Sequence, residues 1–175
     1  MDNEDFKIYN LGSSDKIRKY IRENTDVLDG ISDDDIKQIE TDVYNSIYVL
    51  FKSGTLYKDR ELIEDDVNRL WMLNGFNLFA IMSNNTIKSI TSRNDLHEYI
   101  KDEEYKKILT STLYLVALTK DGKVKCIHGD PTGLGIIPDN FLNVDDVLIK
   151  TDLEIPYIKK AGKEMSLFVT DFEED

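Results

Sequence analysis

A pattern that recurs three times constrains this chain more than any other feature: an apolar run, a short polar turn, then a second run. The copies read Tyr48-Val-Leu-Phe-Lys-Ser-Gly-Thr-Leu-Tyr57, Phe79-Ala-Ile-Met-Ser-Asn-Asn-Thr-Ile-Lys88 and Val116-Ala-Leu-Thr-Lys-Asp-Gly-Lys-Val-Lys125. Their turn pairs are Ser53-Gly54, Asn84-Asn85 and Asp121-Gly122. Two-residue hairpins of type I′ need positive φ at both central residues, which Gly, Asn and Asp tolerate best. The pattern predicts three β-hairpins.

A second shared element lies upstream of each hairpin and follows an acidic run: Ile36-Lys-Gln-Ile39, Val67-Asn-Arg-Leu70 and Tyr105-Lys-Lys-Ile108. Ile39 precedes Leu50 by eleven residues, Leu70 precedes Ile81 by eleven, and Ile108 precedes Leu118 by ten. Matched offsets in three copies point to a repeated unit of about 31 to 37 residues, and repeats of that length stack or close into a circle. A fourth copy is expected at the C-terminus, where Ile158 of Ile155-Pro-Tyr-Ile158 stands eleven residues before Val169 in the run Met165 to Thr170. Its second strand is expected from Asp5 to Gly12, which resembles Asp121 to Ile127 in pattern. Such a split repeat would close a circular array and hide its edge strands.

The expected fold is therefore mainly β. Residues 1–175 form a single domain of about four degenerate repeats, a small propeller-like array of hairpins closed by N- and C-terminal strands, with short helices. The alternative is an α+β single domain, because Ser14 to Asn24 places Ile17, Tyr20 and Ile21 on one helical face, and Asn94 to Leu109 does so with Leu96, Tyr99 and Ile100.

Gly75-Phe-Asn-Leu-Phe-Ala-Ile81 with its Asn-Asn turn, and Val116-Ala-Leu-Thr-Lys-Asp-Gly-Lys-Val124, resemble the repeats of the regulator of chromosome condensation family. The resemblance covers about half the chain and implies a β-propeller used for protein binding. One branch of that family exchanges guanine nucleotide on a small GTPase. Where the family often has His this chain has Ser46, Asn77, Tyr114 and Met165, and the Trp-Gly that closes each blade is absent. Exchange activity is therefore not carried over.

Charge narrows the partner. There are 34 acidic and 22 basic residues, for a net charge of −12, which opposes direct approach to nucleic acid or an anionic membrane. A hydrophobic content of 41% in 175 residues suffices for a real core. No run approaches the roughly 18 apolar residues of a membrane span, and the start, MDNEDFK, lacks the layout of a signal peptide. Cys126 is the lone cysteine, which suits a reducing, cytoplasmic setting. Acidic runs ordinarily serve as solvated surface. They also speed encounter with a basic protein, and in the extreme case they imitate a nucleic-acid backbone.

Candidate chemistry is sparse. His97 reads as a solvent-facing helical residue, and Cys126 and His128 share a strand face with no third group beside them. Gly129 to Gly135 contains a Gly-x-Gly but lacks the Lys-Ser/Thr pair of a phosphate loop, so it reads as a surface loop leaving the third hairpin. Asp65-Asp66 and Asp145-Asp146 have no assigned role in catalysis. Trp71, Phe76, Phe79 and Phe51 are expected in the core, although a Trp or Tyr on a rim would mark a partner face.

The expected function is a non-enzymatic protein-binding module, with no cofactor or metal, that engages a protein partner of basic character. The alternative is an acidic inhibitor or immunity-type protein blocking a nucleic-acid-binding enzyme. Candidate partner-binding residues are Asp33, Asp34, Asp35, Asp65, Asp66 and Trp71.

Overall fold

A computed structural model describes residues 6–130, 133–137, 142–150 and 154–167. The chain divides into two compact units, Met1–Ser83 and Asn84–Asp175. Among the described residues the fold is mainly β, built from antiparallel sheets that follow one another along the chain.

In the first unit, α1 (Ser14–Asn24) begins where the Ser13 hydroxyl accepts the Lys16 N–H, satisfying one of the orphan donors of a helix N-terminus. Its Ile21 is fully buried. The expected helix is therefore present. Sheet one has the order β1 (Ile36–Thr41), β2 (Ile47–Phe51), β3 (Leu56–Lys58), β4 (Glu61–Glu64). One face of it, through Ile36, Ile47 and Val49, packs on Ile8, Ile21, Val27 and Leu28. β5 (Val67–Leu73) and β6 (Asn77–Met82) follow. Their sheet has the order β5-β6-β7, where β7 is Ile87–Thr91, and the division between units falls in the β6–β7 loop.

The second unit contains α2 (Asn94–Ile100) and a sheet of β8 (Tyr105–Thr110), β9 (Tyr114–Thr119), β10 (Val124–Asp130) and β11 (Gly133–Ile137). A last sheet contains β12 (Asp146–Lys150), β13 (Ile155–Lys160) and β14 (Lys163–Ser166). Val116, Leu118, Cys126, Val147 and Ile158 belong to one core cluster there. The helix expected over Asn94 to Leu109 is shorter: it ends at Ile100, and Tyr105 to Thr110 is strand.

Register shows the repeat directly. Ile39 pairs with Val49, Leu70 with Ala80, and Ile108 with Ala117. In all three sheets the first strand bulges one residue after its start, at Lys37, Asn68 and Lys106, where two residues oppose one. The hairpin loops carry positive φ at Gly54, Asn85 and Gly122 but not at Ser53, Asn84 or Asp121. They are thus three-residue loops, a type I turn followed by one left-handed residue, and not the two-residue type I′ turns expected. True type I′ pairs occur elsewhere: Asp59-Arg60, Asn74-Gly75 and Ala161-Gly162 have positive φ at both positions.

The carbonyl of each left-handed loop residue accepts an amide from the start of the next copy. Val67 N–H donates to Gly54, Tyr105 to Asn85 and Val144 to Gly122, at 2.8–2.9 Å. This corrects the fourth repeat. Its first element is Val144-Asp-Asp-Val147, not Ile155 to Ile158, and Val147 pairs with Ile158 as Ile39 pairs with Val49. The strand after Ile158 is local, β14, reached through the Ala161-Gly162 turn. Among the described residues no N-terminal strand supplies it: Ile8–Leu11 is a 3-10 helix whose Ile8 packs in the core beside Ile21. Asp5 and the stretch 168–175 lie outside the described residues.

The central strands β2, β6 and β9 are buried along almost their whole length. They are covered on both faces, which is why they read as continuous apolar runs and not as an alternation. Gly129 to Gly135 is not a plain loop, since Gly129 pairs with Leu134 and Asp130 with Gly133. Residues 131–132 between them lie outside the described set.

Candidate partner-binding surfaces

The acidic runs sit at the hairpin-loop ends of their sheets. Asp33–Asp35 forms a 3-10 turn capped by Ser32, whose hydroxyl accepts the Asp34 N–H, and the Asp35 carbonyl accepts the Lys52 N–H at 2.9 Å. The Asp66 carbonyl accepts the Ser83 N–H in the same way. Because Val67 is tied to Gly54, the fold gathers Asp35, the Lys52–Gly54 loop and Asp66 at one end of the first unit. Asp33 is partly neutralised: the Arg22 guanidinium, 2.8 Å away, holds its carboxyl below the ordinary range. Asp65 accepts the Asp66 N–H.

Trp71 is placed elsewhere. It is 6% exposed and its ring lies 5.7 Å from that of Phe79, so the core expectation holds for both. Among the candidates it cannot present a surface. Phe51 is half-buried, and Phe76, expected in the core, is an exposed aromatic.

Phe76 belongs to a cluster at the opposite end of the strands from the acidic loops. Tyr44, in the β1–β2 loop, is 73% exposed and meets the Phe76 ring edge-on at 6.1 Å. The Gly75 carbonyl accepts the Val43 N–H at 2.8 Å. A Cβ at Gly75 would fall 2.9 Å from Val43 Cγ1 and 3.4 Å from the Tyr9 ring, so the two turns approach too closely for any side chain there. The Tyr44 loop is held firmly. Asp42, itself buried, accepts the N–H groups of Tyr44 and Ser46 at 2.9 Å and the Tyr48 hydroxyl at 3.3 Å. Lys7 Nζ donates to the Val43 carbonyl.

A cleft of about 550 Å³ opens on the face of sheet one that the 27–31 segment partly covers. Its floor includes Val27, Val49, Phe51 and Tyr57, with the last two rings edge-to-face at 5.5 Å. Lys52 and Asp35 stand at its hairpin-loop end. At the other, Arg60 Nη1 donates to the Asp26 carbonyl at 2.7 Å, and Asp29 follows one turn on.

The Cys126 and His128 reading gains no chemistry. The Cys126 thiol is buried in the second unit's core, and burial pushes its pKa up to about 12, where the thiolate nucleophile is negligible at neutral pH. His128 pairs with Tyr114 and Gly135 in the ladder. Among the described residues no group of three or more His, Cys, Asp or Glu could hold a metal ion, and no helix is long and apolar enough to cross a membrane.

Sequence reasoning located the acidic end but missed both the aromatic cluster and the cleft. Asn74-Gly75, the strongest short-range signal for a two-residue hairpin, could have placed Phe76 at a loop tip. Nothing local marks the cleft. No protein-family model and no curated protein matches the chain.

Proposed function

We propose that the chain is a protein-binding module whose first unit carries the contact surface. The observation that carries this reading is the Tyr44–Phe76 cluster, large rings exposed on turns that hydrogen bonds already hold in place. Exposed aromatics on a rigid support lose little entropy on binding and are enriched at interface hot spots. The resemblance to regulator-of-chromosome-condensation repeats, whose propellers bind proteins, supports the same reading. A propeller-like arrangement of the four repeats is part of it.

The net charge of −12 and the acidic loop ends favour a basic partner, reached in a cytoplasmic setting. The second reading, an acidic inhibitor that occupies the site of a nucleic-acid-binding enzyme, draws on the gathering of Asp35 and Asp66 at one end. The test is partner capture with the full chain, followed by calorimetry on the identified complex. Tyr44→Ala and Phe76→Ser should each weaken binding at least tenfold without loss of folding. Equal binding by both variants would remove the aromatic end as the contact surface, and a captured nuclease inhibited by the chain would favour the second reading.

A further inference from the structure

At one end of the cleft on sheet one, a side chain is held in a backbone conformation that disfavours side chains. Arg60 occupies the second position of a type I′ turn with φ 77°, a left-handed conformation in which glycine is the default and a side chain costs free energy. Backbone strain of this kind persists where a side chain is needed in place. Arg60 uses one N–H on the Asp26 carbonyl, and among the described residues its other guanidinium donors take no protein partner. The same holds for Lys52 Nζ, the Tyr57 hydroxyl and the carboxylates of Asp29 and Asp35, all of which line the cleft.

These groups are arranged by strand register. Lys52 follows Phe51 at one end of β2, and Arg60 follows Lys58, which pairs with Tyr48 towards the other. Asp59 stands opposite Ile47, so Arg60 lies about six register positions from Lys52, and at about 3.3 Å per residue the two cations are separated by roughly 20 Å of strand, with Phe51 and Tyr57 between them. Each end offers one cation and one carboxylate. A ligand that satisfies both ends is elongated, apolar in the middle and charged at either side. A free small anion does not fit this description, and the net charge of −12 disfavours its approach.

We propose that the cleft recognises an extended segment of a partner protein, one that sets an apolar side chain against Phe51 and Tyr57 and flanks it with one basic and one acidic residue. The basic residue meets Asp29 or Asp35, and the acidic residue meets Arg60 or Lys52. The proposal rests on the protein-binding reading but uses a different surface from the Tyr44–Phe76 cluster.

The test is selection of a phage-displayed library of randomised seven-residue peptides against the full chain, with the enriched peptides synthesised and titrated. Enriched peptides should carry an apolar residue between charges of opposite sign. Arg60→Gly should weaken them at least fivefold while the melting temperature stays close to that of the parent chain, because relief of the turn offsets the lost hydrogen bond to the Asp26 carbonyl. A structural role for Arg60 would instead lower the melting temperature. Tyr57→Ala should also weaken binding, and Tyr44→Ala should leave it unchanged. Peptides that bind Arg60→Gly and Tyr57→Ala as tightly as the parent chain, or no enrichment at all, would overturn the cleft. Loss of binding in Tyr44→Ala with the cleft variants intact would overturn it too, while leaving the protein-binding reading in place.

Discussion

Gln38 shows how much one side chain can hold in this molecule. It follows the bulge of β1, and its carboxamide accepts the Leu70 N–H and donates to the Leu70 carbonyl, both at 2.9 Å. It joins two sheets that share no ladder. Gln38→Leu would strip the partners from a backbone unit whose residue is 5% exposed, and an unsatisfied buried amide costs about 1–3 kcal/mol. Urea denaturation should report a loss of that size. Beside it, Glu40 is partly buried, and desolvation raises its pKa above 4.5 against the smaller effect of the Gln38 hydrogen bond. A raised folded-state pKa contributes stability below the unfolded value that is lost as pH rises through the folded one. Glu40→Gln should therefore stabilise the chain at pH 7, and the gain should vanish as pH falls below about 4.5. Denaturation curves at the two pH values decide it. Cys126, buried with its pKa raised to about 12, should resist iodoacetamide at pH 8 in the native state and react promptly in urea. Prompt native labelling would reopen the nucleophile reading.

At the scale of elements, the hairpin loops are the joints of the repeat. The left-handed residue of each loop turns its carbonyl to the next copy, so it meets two demands at once, positive φ and close approach. Gly122 has φ 89°, and a Cβ there would lie 3.3 Å from Asn143 Cα. Gly122→Ala should cost about 1–2 kcal/mol from the left-handed conformation, with further loss from the contact. Asn85 fills the same position with φ 64°, so Asn85→Gly should be neutral or stabilising. Opposite signs at equivalent positions in a thermal melt would establish the joint; matching signs would dissolve it. Much of this level was legible in the chain. The three hairpins are visible because each is closed within ten residues, and the upstream strands are visible because their apolar residues keep a constant offset. The fourth copy escaped because Val144-Asp-Asp-Val147 carries two carboxylates in place of the Lys and Gln of the first copy, and its partner strand follows at a different spacing. The turn type escaped because Gly and Asn serve one left-handed position as readily as two.

For the whole molecule, charge sets the rate at which a partner arrives. Steering acts over roughly a Debye length, about 10 Å at 0.1 M salt, while apolar contacts in an interface are little affected. Association with a basic partner should slow steeply between low and moderate salt, with a smaller change in dissociation. Neutralising Asp65 and Asp66 should slow it more than neutralising Asp33, whose charge Arg22 already offsets. Stopped-flow kinetics across a salt series test this, and a salt-independent on-rate would return the acidic runs to ordinary solvated surface.

Local chemistry thus determined the hairpins, the first helix, the buried apolar runs and the acidic stretches, since each depends on neighbours within about ten residues in the chain. Tertiary structure decided the rest. It placed Trp71 inside and Phe76 outside, though both are aromatic residues of the β5–β6 hairpin, because burial depends on which element covers a face. It made the N-terminal segment a 3-10 helix packed against Ile21 when its alternation suited a strand. It also assembled the cleft from residues 27–31 and the β2–β3 hairpin, whose separation along the chain hides any common pattern. The strain at Arg60 belongs to the same class: a sequence shows which residue occupies a turn, and only the folded backbone shows the φ at which it is held.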